Sequence, residues 1–288
     1  MASPAVSGPI RPRAVSELLD DTFYLYRRNF QVVACVAVLV ALPRLILSLA
    51  SGAYLASFNL LQRAISSVND PAALQGLMGA GNVPNSPFYL FASLLQLLLI
   101  PFSAGALYQA AVELAAHRPA SIGSVLVGTL RRYLGLLGLM LLVVLFLLTG
   151  LLVVTLPLVI WVVVRWILST PVLFAEGVGP VRALARSWQL VKGEWWRTLG
   201  ILLLVVIMVD LIQIVLGFFV GGVAAFLPGV DATVRAAVST TLAGVVAALA
   251  GPLLPITLTL LYFDMRVRKE GYDLEELALQ AAQGTAPA

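Results

Sequence analysis

Residues 133–175 read YLGLLGLMLLVVLFLLTGLLVVTLPLVIWVVVRWILSTPVLFA, a run with a single charged side chain, Arg165. A helix rising about 1.5 Å per residue needs only about 20 apolar residues to cross roughly 30 Å of hydrocarbon. The run is too long for one crossing and suits two, with Thr155-Leu156-Pro157 as the tight turn between them. Working outward by the same rule gives six spans, at residues 30–51, 88–112, 133–154, 157–175, 198–226 and 236–263. The last two are separated by the turn Leu227-Pro228-Gly229-Val230-Asp231.

Composition agrees. Of the 288 residues, 60% are hydrophobic and 11% charged, against about 45–50% and about 25% in soluble domains. The expectation is one all-α membrane domain, a polytopic helical bundle over residues 14–275, between a flexible N-terminal tail at 1–13 and a C-terminal tail at 276–288. Because the first 29 residues are polar and the run after them carries Arg44, an uncleaved start is expected. Ser48-Leu49-Ala50 has the small residues of a signal-peptidase site, but the charged flank before it is long for a signal peptide.

The basic residues carry the topology. Fourteen flank the spans on one side, namely Arg11, Arg13, Arg27, Arg28, Arg118, Arg131, Arg132, Arg182, Arg186, Lys192, Arg197, Arg266, Arg268 and Lys269, and only Arg63 and Arg235 lie on the other. By the positive-inside rule the richer side is cytoplasmic, which puts both termini inside and the chain in the cell (plasma) membrane as a multi-pass protein. The net charge of +4 is thereby explained without nucleic acid, since no basic, aromatic-studded surface for tracking phosphates can be read. Residues 52–87 form the one long outer loop, read as a lid or spacer.

Each pair of spans follows a short segment with apolar residues at helical spacing and a basic end. Val15, Leu18, Leu19, Phe23, Tyr26 and Phe30 share one face, closed by Arg27 and Arg28. Ile122, Val125, Leu126, Leu130 and Tyr133 share a second, closed by Arg131 and Arg132. Val181, Leu184, Trp188, Val191 and Trp195 share a third, amid Arg182, Arg186, Lys192 and Arg197. Three interfacial helices, each with a hairpin of spans, are therefore expected to rest in the headgroup layer. Arg27, Arg28, Arg131, Arg132, Arg186, Trp188, Lys192, Trp195, Trp196 and Arg197 become candidates for contact with lipid headgroups or a partner protein. The plainer alternative is that these segments are ordinary basic loops.

Charges inside hydrocarbon are costly, by at least about 2.5–3.5 kcal/mol on insertion scales, and so mark candidate sites. Arg165 and Asp210 fall at matching depth on successive spans and are expected to pair, either as a helix fastener or as a substrate or proton site, with Gln213 as a third member. Prolines 43, 101, 157, 171, 252 and 255 and the Gly217/Gly221 pair mark kinks and close packing, or a transport path.

The reactive inventory is small. His117 is the one histidine, and Cys35, expected to be a small packing residue, is the one cysteine. No phosphate-cradling glycine loop and no metal-ligand cluster can be read, so no catalytic residue, metal or cofactor is assigned. Glu113, Glu176 and Glu194 read as ordinary solvated carboxylates at the inner boundary.

Two stretches are more specific. One comprises Arg165-Trp166, Leu168, Pro171, Glu176, Gly179, Ala183-Leu184, Arg186-Ser187-Trp188, Leu190, Lys192-Gly193 and Trp196-Arg197. The other runs from Tyr262 through Asp264, Arg266, Arg268, Glu270 and Asp273 to Glu275. With the opening Leu18 to Arg28, they resemble the membrane domain of glycerophosphoryl diester phosphodiesterases, found fused to the enzyme or standing alone in bacterial membrane proteins. In fused members the hydrolysis belongs to a separate soluble barrel, and the resemblance here is to the membrane half alone.

Two functional readings follow. The first is a non-catalytic membrane module, a scaffold, anchor or regulator in envelope or lipid metabolism that touches lipid headgroups or a partner protein. The alternative is a small transporter or lipid-translocating protein with a polar site at Arg165 and Asp210. The acids of the final segment, at 270, 273, 275 and 276, further suggest that it docks on the third amphipathic helix.

Overall fold

A computed structural model describes residues 13–52, 87–149, 156–225 and 230–270. The expected outer loop, the residues of both expected turns at 155 and 226–229, Arg11, Arg63 and Asp273 lie outside them. Among the described residues the regular structure is all helical. The helices are α1 (Val15–Arg28), α2 (Phe30–Ser51), α3 (Pro87–Ala115), α4 (Ile122–Thr149), α5 (Leu156–Trp166), α6 (Ser169–Glu176), α7 (Pro180–Val191), α8 (Trp195–Ala225), α9 (Ala232–Ala250) and α10 (Leu253–Glu270). Among the described residues six stretches are long and apolar enough to cross a membrane.

Side-chain exposure fits hydrocarbon rather than water. Leu134 is 82% exposed, Leu94 66% and Phe218 85%, an arrangement that water would penalise at about 25 cal/mol per Å² of apolar surface and that acyl chains accept. Cys35 also stands exposed on α2, so it is not the core packing residue expected of it.

Three features depart from the sequence reading. The second amphipathic segment is not a separate helix, because Ile122 to Thr149 is one continuous α4. No proline or left-handed residue follows Arg132 to stop it, whereas α1 ends at the Asn29 cap and α7 is followed by Gly193 at φ 88°. The expected span 157–175 is divided between α5 and α6. Pro171 has no N–H for the Ile167 carbonyl, and the chain tightens there through Ile167 N–H to the Val164 carbonyl at 3.4 Å. Hydroxyls serve the neighbouring carbonyls: Ser169 Oγ donates to Trp166 at 2.6 Å, and Ser187 Oγ to Arg165 at 2.7 Å. The expected span 236–263 is divided between α9 and α10 at Gly251-Pro252, with Pro255 withholding a donor from Gly251.

The chain divides into two compact units. One comprises residues 34–103 and 209–251. In it Ser103 Oγ donates to the Val40 carbonyl at 3.0 Å, tying α3 to α2, and Leu45 lies against Gly244 of α9. Asp231 caps α9 by accepting from Thr233 N–H at 2.7 Å.

The other unit comprises residues 1–33, 104–208 and 252–288 and holds most of the charge. Its centre is α10, packed against α1, α6 and α7. Leu18, Leu258, Leu261 and Met265 are fully buried there. The Thr22 and Thr257 hydroxyls meet across α1 and α10 at 3.2 Å, each also within hydrogen-bond distance of a carbonyl of its own helix.

Candidate functional site

The polar groups of the charged unit are organised by α10. Asp264, Arg268 and, one turn earlier, Leu260 lie along one side of it. Tyr262, Arg266 and Glu270 lie along another, in steps of four residues that bring side chains over one another.

On the first side the Asp264 side chain is wholly buried. Its carboxylate meets Arg197 of α8 at 2.8 Å and Arg268 at 3.0 Å, and accepts the Arg13 backbone N–H at 2.6 Å. The Arg13 carbonyl in turn accepts from Arg197 at 2.9 Å and Arg268 at 2.7 Å. One carboxylate and one carbonyl thus bind the start of α1, the start of α8 and the end of α10 together. Arg13 also reaches Asp21 at 3.1 Å. Burial pushes the Asp21 carboxyl above its ordinary range, against the pull of Arg13, with Glu17 and Asp20 adding to the rise.

On the second side the bonds close into a ring. Tyr262 OH donates to Glu176 at 3.0 Å, and Arg186 Nε donates to the same carboxylate at 3.1 Å. Arg186 Nη1 meets Glu270 at 2.5 Å, Arg266 Nε meets Glu270 at 3.1 Å, and Arg266 returns to Tyr262 OH at 3.4 Å. Burial of the Arg186 guanidinium works against its charge, but its bonds to Glu270 and Glu176 outweigh this and hold its pKa above the ordinary value. Lys269 then caps the C-terminal end of α7, donating to the Gln189 carbonyl at 3.1 Å and to that of Lys192. Of the final segment expected to dock on the third amphipathic helix, Glu270 meets Arg186 of α7 and Lys269 meets the end of that helix, while residues 273, 275 and 276 lie outside the described residues.

The third feature is Arg165. Its guanidinium lies 4.1 Å from the Trp161 ring centre and 4.4 Å from that of Trp188, and the two indoles stand edge to face at 5.1 Å. Trp195 Nε1 donates to the Trp161 carbonyl at 3.1 Å, so α5, α7 and α8 meet at this stack. Arg165 Nε is buried and has no hydrogen-bond partner among the described residues. Asp210 is exposed on α8 and belongs to the other compact unit.

The remaining candidates are distributed as follows. Arg27, Arg28, Arg131, Lys192 and Trp196 are exposed. Arg28 donates to Tyr24 OH at 3.0 Å. Arg132 is half-buried and donates to the Leu173 carbonyl at 3.3 Å, at the end of α6 where Gly177 turns the chain at φ 68°. Glu176 and Tyr262 fall within the two specific stretches of the sequence but were not among the expected site residues, and Glu176 was taken for a solvated boundary acid. The four-residue step from Tyr262 to Arg266 to Glu270 is a signal for Tyr262, whereas Glu176 joins only through tertiary packing, 86 positions away.

Fold and surface define a multi-pass α-helical membrane protein. Residues 144–268 match the family model for the membrane domain of glycerophosphoryl diester phosphodiesterase. That stretch is thus of the type its resemblance implied, and it holds Arg165, Glu176, Arg186, Arg197, Tyr262, Asp264 and Arg268. The matched family is the membrane domain. No curated protein and no solved structure matches the chain.

Proposed function

We propose that the chain is a non-catalytic integral membrane module, a scaffold, anchor or regulator in envelope or lipid metabolism. It touches lipid headgroups or a partner protein with the basic end of its charged unit, both termini being cytoplasmic in the plasma membrane. The supporting observation is the pairing at that end: Glu176, Glu270 and Asp264 are each held by two or more donors, which suits fixing helices rather than exchanging protons. Around these closed networks stand exposed cations and the 79%-exposed Trp196, side chains suited to phosphates and to the lipid boundary.

Reconstitution into liposomes tests this reading. The expected result is a vesicle without solute flux or lipid exchange that carries protein with a preference for anionic lipid. Flux that disappears in Asp210→Asn would replace the module with the transporter reading.

A further inference from the structure

α3 ends in a way that glycine usually provides. Arg118 N–H bonds to the Glu113 carbonyl at 2.8 Å and His117 N–H to that of Leu114 at 3.1 Å, the paired bonds of a left-handed helix stop. The residue in the left-handed conformation is His117, at φ 53°, the only described non-glycine with positive φ. Histidine tolerates this region better than most residues, yet glycine would occupy it without strain.

This stop forms one wall of a cavity of about 340 Å³. His117, Arg118, Pro119 and Leu114 face it from α3, and Tyr24, Leu25, Arg28 and Asn29 from the end of α1, all within the charged unit. Among the described residues the side chains of His117 and Arg118 have no hydrogen bond or ion pair, and Arg132 is near enough to Arg118 to repel it. Among the described residues no carboxylate lines the cavity. Two arginines, a histidine and a tyrosine therefore line this space beside Leu25, Leu114 and Pro119, where α2 begins and α3 ends. Guanidinium groups that face no carboxylate among the lining residues match the oxygens of a phosphate, and the volume is that of a small-ligand pocket.

The geometry points to a binding site for a phosphate ester anion in this cavity, with Arg28 and Arg118 as the charged donors and His117 set in its wall by the left-handed turn. The inference rests on the headgroup-contact reading above and gives it a place. Its occupant is the phosphate of an anionic phospholipid or a soluble glycerol phosphate, which present the same group.

The test uses the full chain in detergent, with phosphatidylglycerol, phosphatidylcholine or glycerol 3-phosphate added and retention read by native mass spectrometry. The wild type is expected to retain phosphatidylglycerol over phosphatidylcholine. The double variant Arg28→Gln with Arg118→Gln is expected to lose that preference by about tenfold or more, the scale of lost charge-assisted bonds. Arg44→Gln with Arg235→Gln, which removes two charges from the other compact unit, should keep it. His117→Gly relieves backbone strain, so it should fold at least as well as wild type while binding more weakly. Competition by glycerol 3-phosphate would show that the site also takes the soluble ester, and failure to compete would assign it to the bilayer. A preference that survives the Arg28/Arg118 exchange, or falls equally in the control, overturns the pocket and leaves the headgroup reading standing. A wild type indifferent to both phosphatidylglycerol and glycerol 3-phosphate overturns both.

Discussion

The buried carboxylate of Asp264 accepts the backbone N–H of Arg13 at 2.6 Å across 251 positions of chain, so the start of α1 is held by the end of α10. The same carboxylate meets Arg197 and Arg268. Removing one partner of a buried ion pair leaves a charge without compensation, at a cost of about 3–5 kcal/mol. Asp264→Ala should lower the unfolding midpoint in detergent strongly, and Asp264→Asn less, because an amide oxygen can still accept from Arg13. An unchanged midpoint in Asp264→Ala would remove the residue from its place at the centre of the unit.

The ring through Glu176, Arg186, Glu270, Arg266 and Tyr262 predicts energetic coupling between α7 and α10. Arg186→Ala, Glu270→Ala and the double variant form a cycle whose interaction energy should be about 0.5–3 kcal/mol. Because Arg186 has its pKa raised by these carboxylates, its contribution is complete below the ordinary arginine value and is lost only as pH rises through the higher folded value. On the acid side the ring should weaken as pH falls through the folded value of Glu270, which burial raises but the bonds from Arg186 and Arg266 hold below its ordinary range. Additive single and double effects in thermal melts would contradict the coupling.

Asp21 gives a prediction of opposite sign. Its folded pKa is raised, chiefly by burial, so the stability it contributes is present below the ordinary carboxylate value and lost as pH rises through the folded value. At neutral pH its charge opposes folding even with Arg13 nearby. Asp21→Asn should accordingly be more favourable relative to wild type at pH 7 than at pH 4, as read by the difference in midpoints. A larger benefit at pH 4 would reverse the assignment.

Gly105 of α3 lies where a methyl group has no room. A Cβ there would meet Leu136 Cδ2 at 2.7 Å, Phe174 Cζ at 3.1 Å and Thr129 Cγ2 at 3.2 Å, atoms of α4 and α6. Gly105→Ala should destabilise by about 1–3 kcal/mol through overpacking. Gly200→Ala on α8 meets nothing within 4 Å and should stabilise by up to about 1 kcal/mol from helix propensity. Equal midpoints for the two variants would show that the close approach at Gly105 is not sensed.

Apolar runs and basic flanks are legible in the sequence because hydropathy is local: Phe30 to Ser51 or Trp195 to Ala225 needs no partner to be read. Where helices stop is partly legible. Pro171 and Pro252 were noted as interruptions, yet whether they divide a span depends on hydroxyls such as Ser187 being present to take the freed carbonyls. The networks were the least legible. Asp264 and Arg268 are visible as a four-residue pair, but Arg197 and the Arg13 backbone join them only through the packing of α1, α8 and α10. Glu176 looks solvated until Tyr262 and Arg186 are brought to it. The weight given to Asp210 came from depth along a span, which says nothing of which face it occupies.

Arg165 is where depth and packing make different predictions. Stacked between Trp161 and Trp188, its guanidinium has two cation–π contacts, each contributing about 0.5–2 kcal/mol. If these hold it, Trp188→Ala and Arg165→Lys should both lower the unfolding midpoint, the lysine because an ammonium cannot stack as a flat guanidinium does. Asp210→Asn should then change the midpoint little. If instead Arg165 and Asp210 pair, as their depth proposes, Asp210→Asn should be as damaging as Trp188→Ala, and exchanging the charges by Arg165→Asp with Asp210→Arg should recover part of the loss. Tryptophan fluorescence followed through the same melts separates the two, since only the stack places Arg165 against Trp161 and Trp188, whose emission should shift in Arg165→Lys before the fold is lost.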